Sequence, residues 1–280
     1  MSKLPDQNRE NDIKTKHWFR EAYPGIRVYK STYYHFQFPR HFHNYYTIQI
    51  VDEGVNRGFT DHHHYQLGPD SILIINPGEV HAGSSVHGDK LSFSVITIEE
   101  PALRALFIAN RLHSSGDFVF NNQPINDVKL ATKIRSFIEL FRNKTSELSL
   151  HINLIECLII LSGYIVVGHS EDRQSPSLSY LDKAKDYIRA NYNKDISLAE
   201  IAAQCGVSEF HLVRQFKERY ALTPFEYLRN YRVECARPLL VKTESITQVA
   251  LSVGFYDHSH FVKNFKRITG MLPKHTRIVI

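Results

Sequence analysis

Cysteine is scarce in this sequence, and the spacing of the few cysteines excludes several kinds of small stabilised domain. The 280 residues include three, Cys157, Cys205 and Cys235, and no two of them form a CxxC pair. Such spacing supplies neither a disulfide framework nor a thiolate zinc site. Hydrophobic residues make up 42% and charged residues 22% of the chain, which is close to the globular average and excludes a disordered or collagen-like protein.

Long apolar runs are also lacking. The N-terminal segment 1–16 has no apolar region typical of a secretory signal. The most apolar stretch, from Leu154 to Val167, contains Glu156 and is shorter than the roughly 18 to 20 residues that a membrane span requires. These absences predict a cytoplasmic protein without a membrane partner.

Positive charge is distributed unevenly along the chain. Residues 1–177 contain 18 Lys and Arg against 19 Asp and Glu, whereas residues 178–280 contain 16 against 10. The net charge of +5 therefore comes from the last third of the sequence. A basic module beside a neutral one is typical of a protein in which one part binds a polyanion.

Two patterns of secondary structure divide the first two thirds of the chain. Short apolar segments at 47–51, 57–60, 71–75 and 91–98 are separated by turn residues, which predicts an antiparallel β-sandwich or barrel. Helical spacing over Asp127–Phe141 and Leu148–Val167 then predicts two helices. The second helix is apolar on more sides than one packing stripe requires, so we expect it to form a homodimer interface. Packing within its own domain remains the alternative.

The C-terminal third contains repeated signals for helix starts. Four hydroxyl residues precede an acid or an amide by three positions, as in a capping box: Ser179 with Asp182, Ser197 with Glu200, Thr223 with Glu226 and Ser245 with Gln248. Ser208 and Asp257 can cap two further helices. The segment GHSEDRQSPS, which precedes this region, predicts an interdomain linker.

Two segments of this region, 201–220 (IAAQCGVSEFHLVRQFKERY) and 249–268 (VALSVGFYDHSHFVKNFKRI), repeat one plan. Each contains small residues, a turn glycine (Gly206 or Gly254), an apolar plug, a polar cap and a helix with a Phe-Lys pair. This order predicts two helix-turn-helix units, in each of which the second helix enters a DNA major groove. Three aromatic residues are predicted to lie in the core: Phe216, Phe261 and Phe265.

Residues 178–280 resemble the AraC-type transcription regulators. The run VGFYDHSHFVKNFKRITGMLP at 253–273 is similar to the second signature of that family. Ala221 stands where the family usually has glycine, and Pro238 interrupts the long connecting helix, which it is expected to kink. The resemblance implies a sequence-specific regulator that binds double-stranded DNA, and it allows contact with RNA polymerase.

Carried over residue by residue, the resemblance implies DNA contacts on both reading helices. Those of the first helix are Glu209, Phe210, Val213, Arg214 and Lys217. Those of the second helix are His258, Ser259, Val262, Lys263, Lys266 and Arg267. Arg214 is the best candidate to read guanine, because its guanidinium can bond O6 and N7 together. Lys217, Lys266 and Arg267 are interpreted as phosphate contacts.

The motifs of the N-terminal half are similar to those of the cupin barrel that AraC-type regulators often carry. The resemblance implies an effector pocket that includes His41, His43, Tyr45 and His81. A metal-binding cupin also uses a glutamate, but Thr47 and Ile48 stand where it should follow His43. We therefore expect no metal, no cofactor and no enzymatic activity. A three-histidine metal site, and a metal-dependent enzyme with a DNA-binding tail, remain the alternatives.

These observations together predict an α+β multidomain protein. A cupin-like β-barrel is expected to bind a small-molecule effector at 1–125, and a helical dimerisation segment follows at 126–168. A linker at 169–177 leads to an all-α double helix-turn-helix domain at 178–280. The expected function is that of a DNA-binding transcription regulator whose barrel senses a small molecule.

Overall fold

The computed structural model describes residues 14–34, 37–60, 63–86, 90–112, 119–143, 146–166, 176–242 and 245–277. Its N-terminal half contains short strands joined by turns: β1 (Lys14–Phe19), β2 (Ile26–Tyr33), β3 (Gln37–His41), β4 (Tyr45–Glu53), β5 (Asn56–Thr60), β6 (His63–Leu67), β7 (Ile72–Ile75), β8 (His81–Ser85) and β9 (Leu91–Glu99). The four segments predicted to be strands correspond to β4, β5, β7 and β9, so these predictions are confirmed.

Antiparallel pairing joins these strands into two sheets, with the orders β1-β2-β9-β4-β7 and β3-β8-β5-β6. Every residue of β7 is buried, as is every residue of β9 except the last. Such continuous burial is expected for strands that are covered on both faces. The predicted β-rich N-terminal domain is confirmed. The pairing of the described strands gives two separate sheets, however, and not the closed barrel that the cupin resemblance implied.

Three helices follow the strands of this domain: α1 (Glu100–Ala109), α2 (Val128–Arg142) and α3 (Glu147–Ser162). The Asp127 side chain caps α2 by accepting two backbone N–H bonds. The helix predicted to reach Val167 ends earlier, because Ile165–Val166 (β11) pairs with Val119–Phe120 (β10). Leu158 of α3 is fully buried in one apolar core with α2 and the first sheet. One side of α3 therefore packs within its own domain.

The C-terminal region is helical, and most of its predicted helix starts are confirmed. It contains α4 (Pro176–Ala190), α5 (Leu198–Cys205), α6 (Glu209–Tyr220), α7 (Pro224–Lys242), α8 (Ile246–Ser252), α9 (His258–Thr269) and a 3-10 helix at Pro273–Arg277. Side chains at five of the predicted cap positions accept the expected backbone bonds: Ser197, Ser208, Thr223, Ser245 and Asp257. None of the helices in the described ranges has the length and apolar character of a membrane span.

The Ser179–Asp182 signal was wrong as a helix start. Helix α4 begins three residues earlier, at Pro176, where the fixed φ angle of proline suits the first turn. The last two residues of the segment predicted as a linker, 176–177, thus belong to α4. Residues 169–175 of that segment lie outside the described part of the chain.

The two repeated segments form the helix pairs α5–α6 and α8–α9. The turn glycines Gly206 and Gly254 have φ angles of +68° and +89°, the left-handed conformation predicted for them. The aromatic residues predicted to lie in the core are fully buried: Phe216, Phe261 and Phe265. Ala221 also takes a left-handed φ of +55°, which explains why glycine suits this position. Pro238 lies inside α7 without ending that helix.

The N-terminal domain packs directly against the helical region. Phe42 is 1% exposed, and its ring stacks on Tyr227 of α7 with the centroids 4.9 Å apart. Phe59 and Val80 belong to the same apolar cluster as residues of α4, α5 and α6. Burial of each such side chain contributes about 1.5 to 3 kcal/mol. The strands and helices of the two halves are therefore held in one arrangement around the space between them.

Candidate functional site

A cavity of about 650 Å³ lies between the N-terminal sheets and the helical region. Its volume falls within the range of small-molecule sites. Each of the strands β1 to β9 contributes at least one residue to one wall of this cavity. The other wall comes from α7, the end of α9 and the segment after it, and it includes Glu234, Arg237, Pro238, Val241, Met271 and His275. A molecule in this cavity would thus touch both halves of the chain.

The three histidines predicted to line a pocket are brought together in this cavity. The ring of His81 lies 4.1 Å from the ring of His41 and 4.7 Å from that of His43, measured between centroids. Each histidine places Nδ1 within 3.1 Å of a backbone carbonyl, which can only accept, so each Nδ1 carries the proton. Burial lowers the pKa of His41 to about 4 and lowers those of His43 and His81 well below the usual value. The cluster is therefore neutral at pH 7.

The donors of this cluster do not match a metal centre. The Thr47 hydroxyl lies 3.0 Å from Nε2 of His43 and donates to it, because the proton of that ring is on Nδ1. The Thr47 hydroxyl is thus bonded to the nitrogen with which His43 would bind a metal. Thr47 stands where a metal-binding cupin has its carboxylate. Within the described ranges, no group of three or more His, Cys, Asp or Glu side chains has the geometry to hold a metal ion.

A buried arginine from the helical region contacts the predicted pocket residue Tyr45. The Tyr45 ring stacks on His43 at 4.3 Å, and its hydroxyl accepts a hydrogen bond from Nη1 of Arg237. Burial raises the pKa of Tyr45 to about 12, against the opposing effect of the Arg237 charge. Glu234 lies 3.5 Å from Arg237 and accepts the backbone N–H of Asn44 at 3.2 Å.

Burial raises the pKa of the Glu234 carboxyl, and the charge of Arg237 opposes that rise. The side chain of Arg237 keeps 24% of its area exposed although it lies deep between the two halves. Since Arg237 lines the cavity, this exposed area is available to a ligand. Glu234 and Arg237 were not predicted from the sequence, because no local pattern connects them with partners 190 and 192 positions away.

Three further polar atoms of the cavity wall have no hydrogen-bond partner among the described residues. They are Nε2 of His17, Nε2 of Gln49 and Oδ1 of Asn56, all of them buried. A buried polar atom without a partner costs about 1 to 3 kcal/mol, so a ligand that bonds such atoms recovers this energy. Aromatic side chains cover much of the remaining wall, including Trp18, Phe38 and Phe93. The cavity therefore suits a molecule with both polar groups and an apolar body.

The predicted DNA contacts of the first helix pair lie on α6. Glu209, Arg214 and Lys217 are exposed, Phe210 is 78% exposed, and Val213 is half-buried. The exposed cations give this face of α6 the positive charge that contact with a polyanion requires. Ser208 caps α6 by accepting the backbone N–H of His211. The N-terminus of the helix therefore lies next to these predicted contacts.

The second helix pair presents a similar surface on α9. His258, Ser259, Lys263 and Arg267 are exposed, whereas Val262 and Lys266 are half-buried. Tyr256 was not among the predicted DNA contacts, although it precedes α9 and is 90% exposed. Its signal in the sequence is the one extra residue of the second repeat, where Tyr256 and Asp257 stand in place of Ser208 alone.

Comparison with known families agrees with this arrangement in both halves of the chain. Residues 23–158 match the AraC-like ligand binding domain, and residues 201–278 match a helix-turn-helix domain. The two matches cover about three quarters of the chain. The chain belongs to the AraC-type transcription regulators. It is a DNA-binding transcription regulator with an N-terminal ligand-binding domain, which confirms the resemblance stated for its sequence.

Two curated relatives are similar to this chain along most of their length. The transcriptional regulator YbfI of Bacillus subtilis (strain 168) is 27% identical over 80% of this chain and 81% of its own. The transcriptional activator RhaS of Klebsiella pneumoniae (strain 342) is 26% identical over 86% of this chain and 87% of its own. ToxT of Vibrio cholerae O395 has a similar fold, with a TM-score of 0.56 and 15% identity over 90% of this chain and 96% of that one.

Proposed function

We propose that this regulator senses a small molecule with an acidic group in the cavity between its sheets and its helical region. The observation that carries the proposal is the position of Arg237, which lines the cavity and belongs to α7. Helix α7 connects the α5–α6 pair with the α8–α9 pair. A ligand bound to Arg237 would therefore act on the element that sets the distance and angle between the two pairs.

The chemistry of the cavity supports an acidic group on the ligand. Nη1 of Arg237 is used by Tyr45, and the remaining donors of the guanidinium can bind a carboxylate in the bidentate manner typical of arginine. The neutral histidines add hydrogen-bonding groups without adding charge, and the aromatic wall suits an apolar body. A ToxT structure with a TM-score of 0.55 holds an unsaturated fatty acid, which is a ligand of this kind.

We also propose that α6 and α9 each insert into a major groove as the second helix of a helix-turn-helix unit. In this arrangement Glu209, Phe210, Val213 and Arg214 face bases from α6, and His258, Ser259, Val262 and Lys263 face bases from α9. Lys217, Lys266 and Arg267 then contact phosphates. Exposure of the cations and the basic character of residues 178–280 support this interpretation.

A homodimer would place two such regions on neighbouring DNA sites. Leu148, Ile152 and Ile159 of α3 are 50% to 68% exposed, and their spacing of four and seven residues puts them on one side of the helix. A second copy of the chain, packed on this side, would remove the apolar stripe from water. In this proposal, residues 1–125 form the cupin-like effector domain and 126–168 the dimerisation segment. A linker precedes the DNA-binding domain at 178–280, and the protein acts in the cytoplasm, where RNA polymerase is a further partner.

The alternative of a metal-dependent enzyme with a DNA-binding tail is less well supported. The Thr47 hydroxyl is bonded to the histidine nitrogen that would have to bind the metal. Retention of a stoichiometric metal in untagged protein, with a chemical activity that is lost when the metal is removed, would favour this alternative instead.

The test of the proposed effector class is a comparison of acids with their neutral counterparts. We expect decanoate to raise the melting temperature of the full chain and to change its DNA affinity, whereas decanamide and decanol do neither. Arg237→Gln should abolish both effects of the acid and keep DNA binding. Lys242→Gln, an exposed position on the same helix, is the control and should respond like the original protein. Equal responses to acid and amide would contradict the proposal.

A further inference from the structure

A second, smaller groove lies where the N-terminal domain meets the first DNA-contacting helix. It measures about 450 Å³ and is lined by two residues of the sheets, three of α6 and the residue that caps its C-terminus: Arg40, Phe59, Arg214, Lys217, Glu218 and Ala221. The groove is separate from the effector cavity, because the two share no lining residue. It therefore brings an arginine of the ligand-binding domain next to two residues that face DNA in the proposed docking.

Arg40 is held in a defined position at this groove. It is an exposed residue of β3, and its guanidinium carbon lies 4.6 Å above the centre of the Phe59 ring. Its Nη1 donates to the carbonyl oxygen of Ala221 at 3.2 Å. That carbonyl belongs to the left-handed residue that ends α6. Only one of the five N–H donors of the side chain is used by this bond. The side chain is thus oriented, and no other hydrogen bond of its guanidinium is seen among the described residues.

The charges of the groove are unbalanced in favour of the positive sign. Arg40, Arg214 and Lys217 form no ion pair within the part of the chain that the structure describes. The carboxylate at the groove, Glu218, instead accepts a hydrogen bond from the side chain of Gln215 at 3.1 Å. Three cations around one small groove repel each other, and an anion placed between them would remove that repulsion.

The position of the groove beside α6 indicates which anion can reach it. Arg214 and Lys217 lie one turn apart on the helix that enters the major groove in the proposed docking, and phosphates form the walls of that groove. We propose that Arg40 binds a phosphate of the DNA backbone, so that the ligand-binding domain is itself part of the DNA interface. The inference depends on the proposed docking of α6, and it adds a contact from outside the helical region.

The experiment measures how DNA affinity depends on salt in the full-length protein. The probe is a fluorescein-labelled 30-base-pair duplex that the full chain has selected from a random-sequence pool, titrated between 50 and 200 mM KCl. A lost phosphate contact lowers the magnitude of the negative slope of log K against log salt by about 0.9. We expect this decrease for Arg40→Ala, together with a several-fold weaker affinity at 50 mM KCl, and most of the slope should be restored in Arg40→Lys.

Two further variants make the outcomes distinguishable. Arg104→Ala removes an arginine of the same domain that pairs with Glu100 on α1, and the slope should not change. Arg214→Ala tests the docking itself and should weaken binding at the selected sequence. An unchanged slope in Arg40→Ala with weakened Arg214→Ala overturns the inference and leaves the proposed function standing. A higher affinity of Arg40→Ala would also overturn it, because Arg40 would then restrain α6. If Arg214→Ala binds normally, the docking of α6 is wrong as well.

Discussion

At the scale of single residues, the neutral histidines of the cavity make the fold sensitive to acid. The pKa of His41 is lowered from 6.5 to about 4 by burial, so the folded chain leaves this ring unprotonated over a range in which the unfolded chain protonates it. Below pH 6.5 the unfolded state therefore binds more protons than the folded state. The free energy of unfolding must then decrease as the pH falls towards 4.

We expect His41→Gln to make this pH dependence shallower. A pKa difference of about 2.5 units corresponds to about 3 kcal/mol, which the original protein loses between pH 6.5 and 4 and the variant does not. Urea unfolding at pH 7.5 and at pH 5 measures the difference for each protein. The value at pH 7.5 accounts for any packing lost with the ring, so only the change between the two pH values matters. Equal changes in the two proteins would contradict the prediction.

The residues of the cavity also show how far sequence could predict the site. His41, His43 and His81 were predicted because each belongs to a short local motif, and the pairing of β3 with β8 then brings His81 beside His41. Arg237 and Glu234 were not predicted, although they contribute the charges of the same cavity. Their place depends on how α7 docks against β4, and no periodicity in either segment describes that contact. Capping and turn signals in the sequence predict where helices and strands begin and end. The positions of side chains in the cavity depend on how elements distant in the sequence pack together.

At the scale of elements, α3 shows two faces that the sequence did not separate. Leu154, Leu158 and Leu161 are buried in the core of their domain, whereas Ile152 and Ile159 are about half exposed. Because the residues of α3 are apolar on nearly all sides of the helix, the sequence pattern does not indicate which side packs on the sheet. The end of the helix was overestimated for a similar reason, because the apolar residues Ile165 and Val166 satisfy a strand pair as well as a helix.

We expect arginine substitutions at two adjacent positions of α3 to have opposite results. Leu158→Arg places a charge in the core and should unfold the N-terminal domain, because burial of an unpaired charge is among the largest destabilising effects. Ile159→Arg, on the side proposed for the dimer, should keep the fold and give monomers in sedimentation. Circular dichroism checks the fold of both variants. A folded Ile159→Arg that still dimerises would mean that the interface lies elsewhere.

At the scale of the whole molecule, the proposed effector cavity and the helices proposed to contact DNA belong to one packed arrangement. Phe42 of the N-terminal domain stacks on Tyr227 of α7, and Arg237 of the same helix lines the cavity. A ligand that favours this arrangement over a more open one changes the position of α7 and of both helix pairs. The coupling between ligand and DNA is then a difference in free energy between two arrangements of the same chain.

Such coupling must be reciprocal, and the contact of Phe42 with Tyr227 should carry part of it. The factor by which a saturating acidic ligand changes the DNA affinity should equal the factor by which saturating duplex changes the affinity for that ligand. Calorimetry of each ligand, with and without the other, measures both factors. Phe42→Ala removes the stacked ring, so we expect both factors to move together towards one, because the N-terminal domain then holds α7 less firmly and transmits less of the ligand's effect. Ile108→Ala truncates an exposed side chain of α1 and should leave both factors unchanged. If Phe42→Ala keeps the original factors, the two halves communicate through another contact, and the pair Tyr45–Arg237 is the next one to replace.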